Sequence, residues 1–334
     1  MTNSWRHQAG AAGLLLAAAF ASVLPADWLR VPVARARAAG PASAGQTGGG
    51  AEGGGTERGT AGAVPTPNTV LPPNTVLPPN TVAPPAHRVL VLIVDGLRYE
   101  TAMDASVMPT LAALRAAGGS ARLETVFEGF SVPAVQAAFT GRSSTQLVNL
   151  IRNFRARDLA IESAFTTVRQ AGWRTLAVGE HVFKQFGTDL ERIAPTEPAT
   201  DYVLRDQARP ALALARYARD DHAVVVCHYE STDWVAHEGG ITGPRYRPAF
   251  AAADSVVAAF AAARRPNDVL IVFGDHGHDA HGEHKTGMAI PTAVVAIGPG
   301  ITPGTEWHNA SVRDIRGLME SALGLPPKEH NPLV

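Results

Sequence analysis

Arg88-Val-Leu-Val-Leu-Ile-Val-Asp95-Gly96 is the stretch on which the fold turns. An unbroken β-branched and aliphatic run without polar alternation suits a strand covered on both faces, and Asp-Gly ends it with turn chemistry. Strands of that kind belong to parallel sheets flanked by helices. Similar runs recur at 175–179, 223–228, 269–274 and 292–298, alternating with helical stretches at 161–171, 247–263 and 311–323. The alternation predicts one α/β domain over 87–334, a mainly parallel central sheet flanked by helices.

Upstream of this domain the composition changes. Residues 32–86 are dominated by Ala, Gly, Pro and Thr and hold too little apolar surface to offset ordering entropy. Their last part repeats Asn68-Thr-Val-Leu-Pro-Pro, Asn74-Thr-Val-Leu-Pro-Pro and Asn80-Thr-Val-Ala-Pro-Pro, a spacing that favours polyproline II and reads as a disordered, semi-rigid tether. Residues 1–31 begin with Arg6 and His7 ahead of an uncharged run, 9–24. As a helix that run measures about 24 Å, short of a bilayer core of about 30 Å, so it reads as a signal peptide or an N-terminal anchor. Small-x-small sites stand at Ala19-Phe20-Ala21 and Ala36-Arg37-Ala38. The expected location is outside the cytoplasm: periplasmic, extracellular or tethered to the outer face of a membrane, touched only through such an anchor.

The 334 residues carry 29 basic and 30 acidic side chains, so no global field draws the chain to nucleic acid. Specificity then rests on a site. The single cysteine, Cys227, excludes an internal disulfide framework and reads as a buried strand thiol.

Acidic and histidine residues gather where the strand runs stop, which is where open α/β sheets bind ligands. After 269–274 comes Asp275-His276-Gly277-His278-Asp279-Ala280-His281-Gly282-Glu283-His284; after 223–228 come Asp233 and His237; after 88–94 comes Asp95. Imidazole with carboxylate suits zinc or another borderline divalent ion. Each piece alone also reads as a solvated polar loop, a helix-capping Asp with a surface His, or ordinary turn chemistry; three strand ends offering ligands together favour metal. His278 and His281 read as solvated loop residues, with contact to substrate or a third ion as the alternative, and Trp234 as packing, with a wall beside the metals as the alternative. A nucleophile candidate lies in Phe130-Ser131-Val-Pro133, where Ser131 either caps a helix or presents its hydroxyl to the positive end of the helix dipole. Asp95, Asp233, Asp275 and a Ser131 alkoxide together would balance two divalent ions and leave the site open to a phosphate ester, which the serine attacks to form a phosphoseryl intermediate.

On these residues the chain resembles the alkaline phosphatase superfamily over roughly 89–300, and within it the type I nucleotide pyrophosphatase/phosphodiesterases and the catalytic domain of GPI ethanolamine phosphate transferases. Val94-Asp95-Gly96-Leu-Arg98 is similar to the first metal-binding strand of that group, Met108-Pro109-Thr110-Leu111 to the segment after it, and Ser131-x-Pro133 with Thr140-Gly141 to its nucleophile helix. The resemblance implies one metal on Asp233, His237 and His284 and another on Asp95, Asp275, His276 and Ser131, most readily Zn2+ with Mn2+ as the alternative. Asn153-Phe154, Glu162 and the segment Gly179-Glu180-His181 resemble the transferases, as does His228. This makes Glu180, His181, His228 and, beside His284, Lys285 the substrate-binding candidates. Val135, where sulfatases need Arg, argues against a sulfatase, and Ala134 against nucleotide substrates. The expected activity is a phosphodiesterase or phosphatase, a two-metal phosphoester hydrolase. The alternatives are a phosphoethanolamine-type transferase to a glycan or lipid, and a metal-dependent binding module without turnover.

Overall fold

In the computed structural model, residue 85 and residues 87–127, 129–143, 161–179, 181–194, 202–219, 221–285, 287–327 and 331–334 are described, all within one compact unit, Asn80–Val334. The expectations for 1–31, for the repeats, and for Asn153, Phe154 and Glu180 lie outside the described residues.

The run quoted above is β1, Val89–Val94, and every residue in it is 0% exposed. Burying a Val, Leu or Ile side chain contributes about 1.5–3 kcal/mol, so this strand alone supplies a large share of the core. In chain order follow α1 (Tyr99–Met103), α2 (Pro109–Ala117), β2 (Gly119–Glu124), α3 (Ser131–Thr140), α4 (Ala164–Gln170), β3 (Thr175–Val178), a 3-10 segment (His181–Asp189) and β4 (Glu191–Ile193). After them come α5 (Tyr202–Tyr217), β5 (Val224–Tyr229), α6 (Ser231–Gly239), α7 (Tyr246–Ala263), β6 (Val269–Phe273), β7 (Thr292–Ile297), β8 (Thr305–Ser311) and α8 (Ile315–Ala322).

The strands form an eight-stranded sheet in the order β4-β3-β5-β1-β6-β7-β2-β8. All pairings are parallel except those β7 makes with β6 and β2. Strand alternation divides the core. Val89, Val91 and Ile93 pack with α3, α4 and α8 on one face; Leu90, Leu92 and Val94 pack with α2, α5 and α7 on the other. Such a sheet is covered by helices on both sides, as the apolar runs predicted. Among the described residues no helix is long and apolar enough to cross a membrane.

What positions the site is the central trio β5-β1-β6. Val94 pairs with Tyr229 and Ile93 with Phe273, so these three neighbouring parallel strands end level. Asp95 and Asp275 therefore leave the sheet side by side. Ser311 corrects one boundary: β8 runs through it, and a 3-10 turn, Val312–Asp314, precedes α8, so the stretch 311–323 is not one helix.

Candidate metal centre

Ser131 opens α3 at its first helical position, with Phe130 at the cap and no side-chain cap bond. The helix-capping reading of Ser131 is therefore corrected, because its hydroxyl faces the strand ends and not its own helix. Its Oγ stands 3.4 and 3.5 Å from the two Asp95 oxygens and 3.2 Å from His276 Nε2. The rest of α3, Val132–Thr140, is buried, and Gln185 donates to the Val132 carbonyl at 3.0 Å, so the hydroxyl sits on a fixed helix end.

Around Ser131 the first ligand set closes: His276 Nε2 lies 3.2 Å from Asp95 Oδ1 and 3.5 Å from Asp275 Oδ2. The second set comes from α6 and the histidine-rich loop. His237, one turn after Asp233, places Nε2 3.5 Å from Asp233 Oδ2 and 2.9 Å from His284 Nε2, which is itself 3.1 Å from Asp233 Oδ1. At about 2.0–2.1 Å from a tetrahedral zinc, ligand atoms stand about 3.3 Å from one another, so both sets have the spacing an ion requires.

Two further observations show that these residues fit divalent cations. Asp275 Oδ2 is buried and makes no hydrogen bond among the described residues, although a carboxylate oxygen without one is costly to bury. The histidine tautomers also agree: His284 Nδ1 faces the Gly129 carbonyl at 2.5 Å and His276 Nδ1 the Gly277 carbonyl at 3.3 Å. A carbonyl only accepts, so each ring donates there and keeps its Nε2 lone pair for the cluster. The His284 lone pair faces His237 Nε2 at 2.9 Å, a separation at which the two nitrogens can share one cation.

The electrostatics point the same way. Burial acts to raise Asp95, but His228 and His276 outweigh it and hold this carboxyl well below the usual range. Asp275, desolvated and facing Asp95, is raised to about 6. His276, despite its burial, is pushed up to about 10 by the Asp275 and Asp95 carboxylates. For Asp233, burial and the Asp95 charge act upward, yet contacts from His278 and His284 bring it down. The carboxylates draw positive charge to this cluster, and divalent ions supply it more compactly than protonated imidazoles.

The loop residues depart from expectation in two places. His278 is 0% exposed and not solvated: Nε2 lies 2.8 Å from Asp233 Oδ1 and Nδ1 3.0 Å from the Gly96 carbonyl. It joins Asp233, His276 and His284 in a set whose ligand atoms lie within 4.8 Å of one another, beside the set of Asp95, Asp275 and His276. Gly96, at φ +68°, makes room for it, since a β-carbon there would stand 2.0 Å from His278 Cε1. Trp234 is 41% exposed and so only partly packed, and His281 is exposed as expected.

Of the substrate-binding candidates, His228 is corrected. It is 0% exposed within β5, behind Asp95, with Nε2 3.1 Å from Asp95 Oδ2 and Nδ1 3.1 Å from Glu230 Oε1. The signal was in the strand period: His228 shares a face with Val224 and Val226, the face on which Ile93 leads to Asp95. Lys285 is exposed and paired with Glu283 at 2.8 Å. His181 is exposed at the start of the 3-10 segment and enters neither ligand set. Glu162 pairs with Arg316. Cys227 is buried in β5, as read.

Comparison with known proteins agrees with this geometry. The family model described as the Metalloenzyme superfamily matches residues 163–327. Phosphopentomutases of Methylorubrum extorquens and Methylobacterium nodulans are 33% and 31% identical over 86 residues, which is 25% of this chain. The match spans only 21% of the length of these curated relatives. Among solved structures, murine ectonucleotide pyrophosphatase/phosphodiesterase 5 is similar with a TM-score of 0.54 at 14% identity, covering 73% of this chain and 97% of the other. The lipoteichoic acid synthase LtaP of Listeria monocytogenes gives 0.54 at 13% identity, covering 75% and 74%. A Vibrio parahaemolyticus protein of the alkaline phosphatase superfamily gives 0.51 at 17%, covering 80% and 74%. Residues 163–327 thus match the Metalloenzyme superfamily, and the eight-stranded, mostly parallel sheet has the alkaline phosphatase superfamily fold.

Proposed function

We propose that the chain is a two-metal phosphoester hydrolase acting on phosphodiesters, with Ser131 as nucleophile. The observation that carries the reading is the position of Ser131 Oγ, on a helix N-terminus and within 3.2–3.5 Å of Asp95 and His276. Asp95, Asp275, His276 and Ser131 hold one ion; Asp233, His237 and His284 hold the other, with zinc suited to the mixed imidazole and carboxylate donors. When bound, the ions neutralise the carboxylates, favour the serine alkoxide and polarise the phosphoryl group.

The N-terminus of α3 adds favourable dipole at the attacking oxygen. Ser131 Oγ bonds to phosphorus as the bond to the leaving oxygen breaks, and the proton lost from the serine ends on the departing alcohol. Water then takes the phosphoryl group, the bond to Ser131 breaks, and the serine regains a proton. The Gly129 and Gly277 carbonyls keep His284 and His276 in the tautomers that direct Nε2 to the cluster throughout. The charged N-terminal stretch with its apolar run at 9–24 supports export of the enzyme.

Ser131→Ala tests the reading. The variant is expected to fold and take up two ions while losing several powers of ten in turnover of bis-p-nitrophenyl phosphate, and rapid quenching should find label on the Ser131 peptide only in the parent. A fully active, unlabelled variant overturns the serine route. Parent turnover that requires an added alcohol would mark the phosphoethanolamine-type transferase instead, a reading to which the name of the Listeria neighbour lends support. A metal-loaded parent inert toward mono- and diesters, with or without alcohol, would mark the binding module.

A further inference from the structure

Behind the cluster runs a row of buried charges of alternating sign. His228 Nε2 stands 3.1 Å from Asp95 Oδ2 and His276 Nε2 3.2 Å from Oδ1, while Ser131 Oγ lies 3.5 and 3.4 Å from Oδ1 and Oδ2. The far nitrogen of His228 meets Glu230 Oε1 at 3.1 Å, and Glu230 Oε2 meets Arg209 Nη1 at 2.9 Å. Arg209 also holds Asp206 Oδ1 at 3.1 Å, and Asp206 Oδ2 accepts the backbone N–H of Ser231 at 2.6 Å. The His228 and Arg209 side chains are 1% exposed, that of Asp206 2% and that of Glu230 13%. Ser231 is the first residue of α6, the helix that presents Asp233 and His237.

We propose that His228, Glu230, Arg209 and Asp206 form a positioning network that sets the affinity of the Asp95 ion and fixes it relative to the Asp233 ion. The inference rests on the two-ion reading above. Neither His228 nor Glu230 touches substrate in this arrangement. Their effect passes through Asp95, because the buried ring 3.1 Å from Oδ2 restricts how this carboxylate can turn toward an ion. Partners of metal ligands act this way, and removing one typically weakens binding 10- to 100-fold. The other end of the row acts on the helix. With Asp206 bonded to its first N–H, the candidate ligands two and six residues later are placed by the same buried charges that place Asp95.

Five folded variants of the full chain decide it, each titrated with Zn2+ and with Co2+, whose visible absorption reports each site's geometry. Asp95→Asn identifies the spectrum and binding step of the Asp95 ion. His228→Ala is expected to weaken that step about 10- to 100-fold and alter its bands while the Asp233 step stays within about twofold. His228→Gln, which retains one donor toward Asp95, should recover part of the loss. Glu230→Gln keeps the side-chain shape, is expected to weaken the same step, and carries the test should His228→Ala fail to fold. Asp268→Asn, at the opposite end of the sheet, controls for general destabilisation; it should lower the melting temperature and leave both steps unchanged. Parental affinities and spectra in folded His228→Ala and Glu230→Gln overturn the inference alone, as does an equal loss in Asp268→Asn. A parent that takes up no ion overturns the two-ion reading and this inference with it.

Discussion

Strands β1 and β6 carry charged residues at both ends, and the two ends behave differently. At the amino end Asp268 is satisfied: it accepts from the Arg88 backbone at 3.1 Å, from Arg88 Nε and Nη2 at 3.2 and 2.9 Å, and from the Tyr217 hydroxyl at 2.5 Å. At the carboxyl end Asp95 and Asp275 converge with Ser131 and His276, and Asp275 Oδ2 is left without a hydrogen bond. Both clusters are buried and rich in charge. A closed set of partners holds strands together; converging acceptors with an open valence call for a cation.

The largest expected effect separates the ends by chemistry. Asp275→Asn should cost the Asp95 ion much of its affinity and turnover several powers of ten, measured by metal analysis and diester hydrolysis, while the metal-free variant melts higher than the parent at pH 8. The sign follows from its raised value of about 6: the folded state favours protonated Asp275, so its charge opposes folding above that pH, and Asn removes the charge. Asp268→Asn should do the opposite, lowering stability by about 3–5 kcal/mol in chemical denaturation with metal binding intact, since it breaks a buried pair.

A pH series comes next in size. His276 is raised to about 10 in the folded state, so it contributes stability that is complete below its ordinary value near 6.5 and is lost as pH rises through 10. The melting temperature of chelated protein should therefore fall across that window. Zinc affinity should rise over the same range, because the ion binds the deprotonated ring. Titrating both quantities between pH 6.5 and 10 checks the pair of slopes.

The smallest contrast lies within one loop. His278→Ala should weaken the ion at Asp233 by about 10- to 100-fold, since the ring is buried against that carboxylate. His281→Ala, three residues on and exposed, should change stability by no more than about 0.5 kcal/mol and leave ion uptake unaltered. Calorimetric titration of the two variants would sharpen the distinction between ligand support and solvated loop.

The sequence revealed the elements whose burial is two-sided. The apolar runs of β1, β5, β6 and β7, each short, read as covered strands, and the candidate ligands follow three of them. Missed were β2, Gly-Ser-Ala-Arg-Leu-Glu, and the two edge strands, β4, Glu-Arg-Ile, and β8, Thr-Glu-Trp-His-Asn-Ala-Ser, whose residues are largely polar. Pairing, not composition, makes these strands. The helix α5 went unread because Asp206 and Arg209 are charged but turned inward, against the habit of an amphipathic helix. His278 escaped for a related reason. Its neighbours Gly277 and Asp279 look like solvated loop, and only the return of the chain beneath Gly96 buries it.

The level ends of β5, β1 and β6 restrict how such an enzyme can change length. Inserting or deleting one residue inside any of the three turns every following side chain to the other face of the sheet. Asp95 would then point toward α5 and α7, away from Ser131. Gain and loss of residues is confined to the connections, where segments can be lengthened, shortened or grafted without moving a ligand. A lineage built on this frame can exchange the walls around its carboxyl-end cluster while the positions of Asp95, Asp275 and His276 are inherited unchanged.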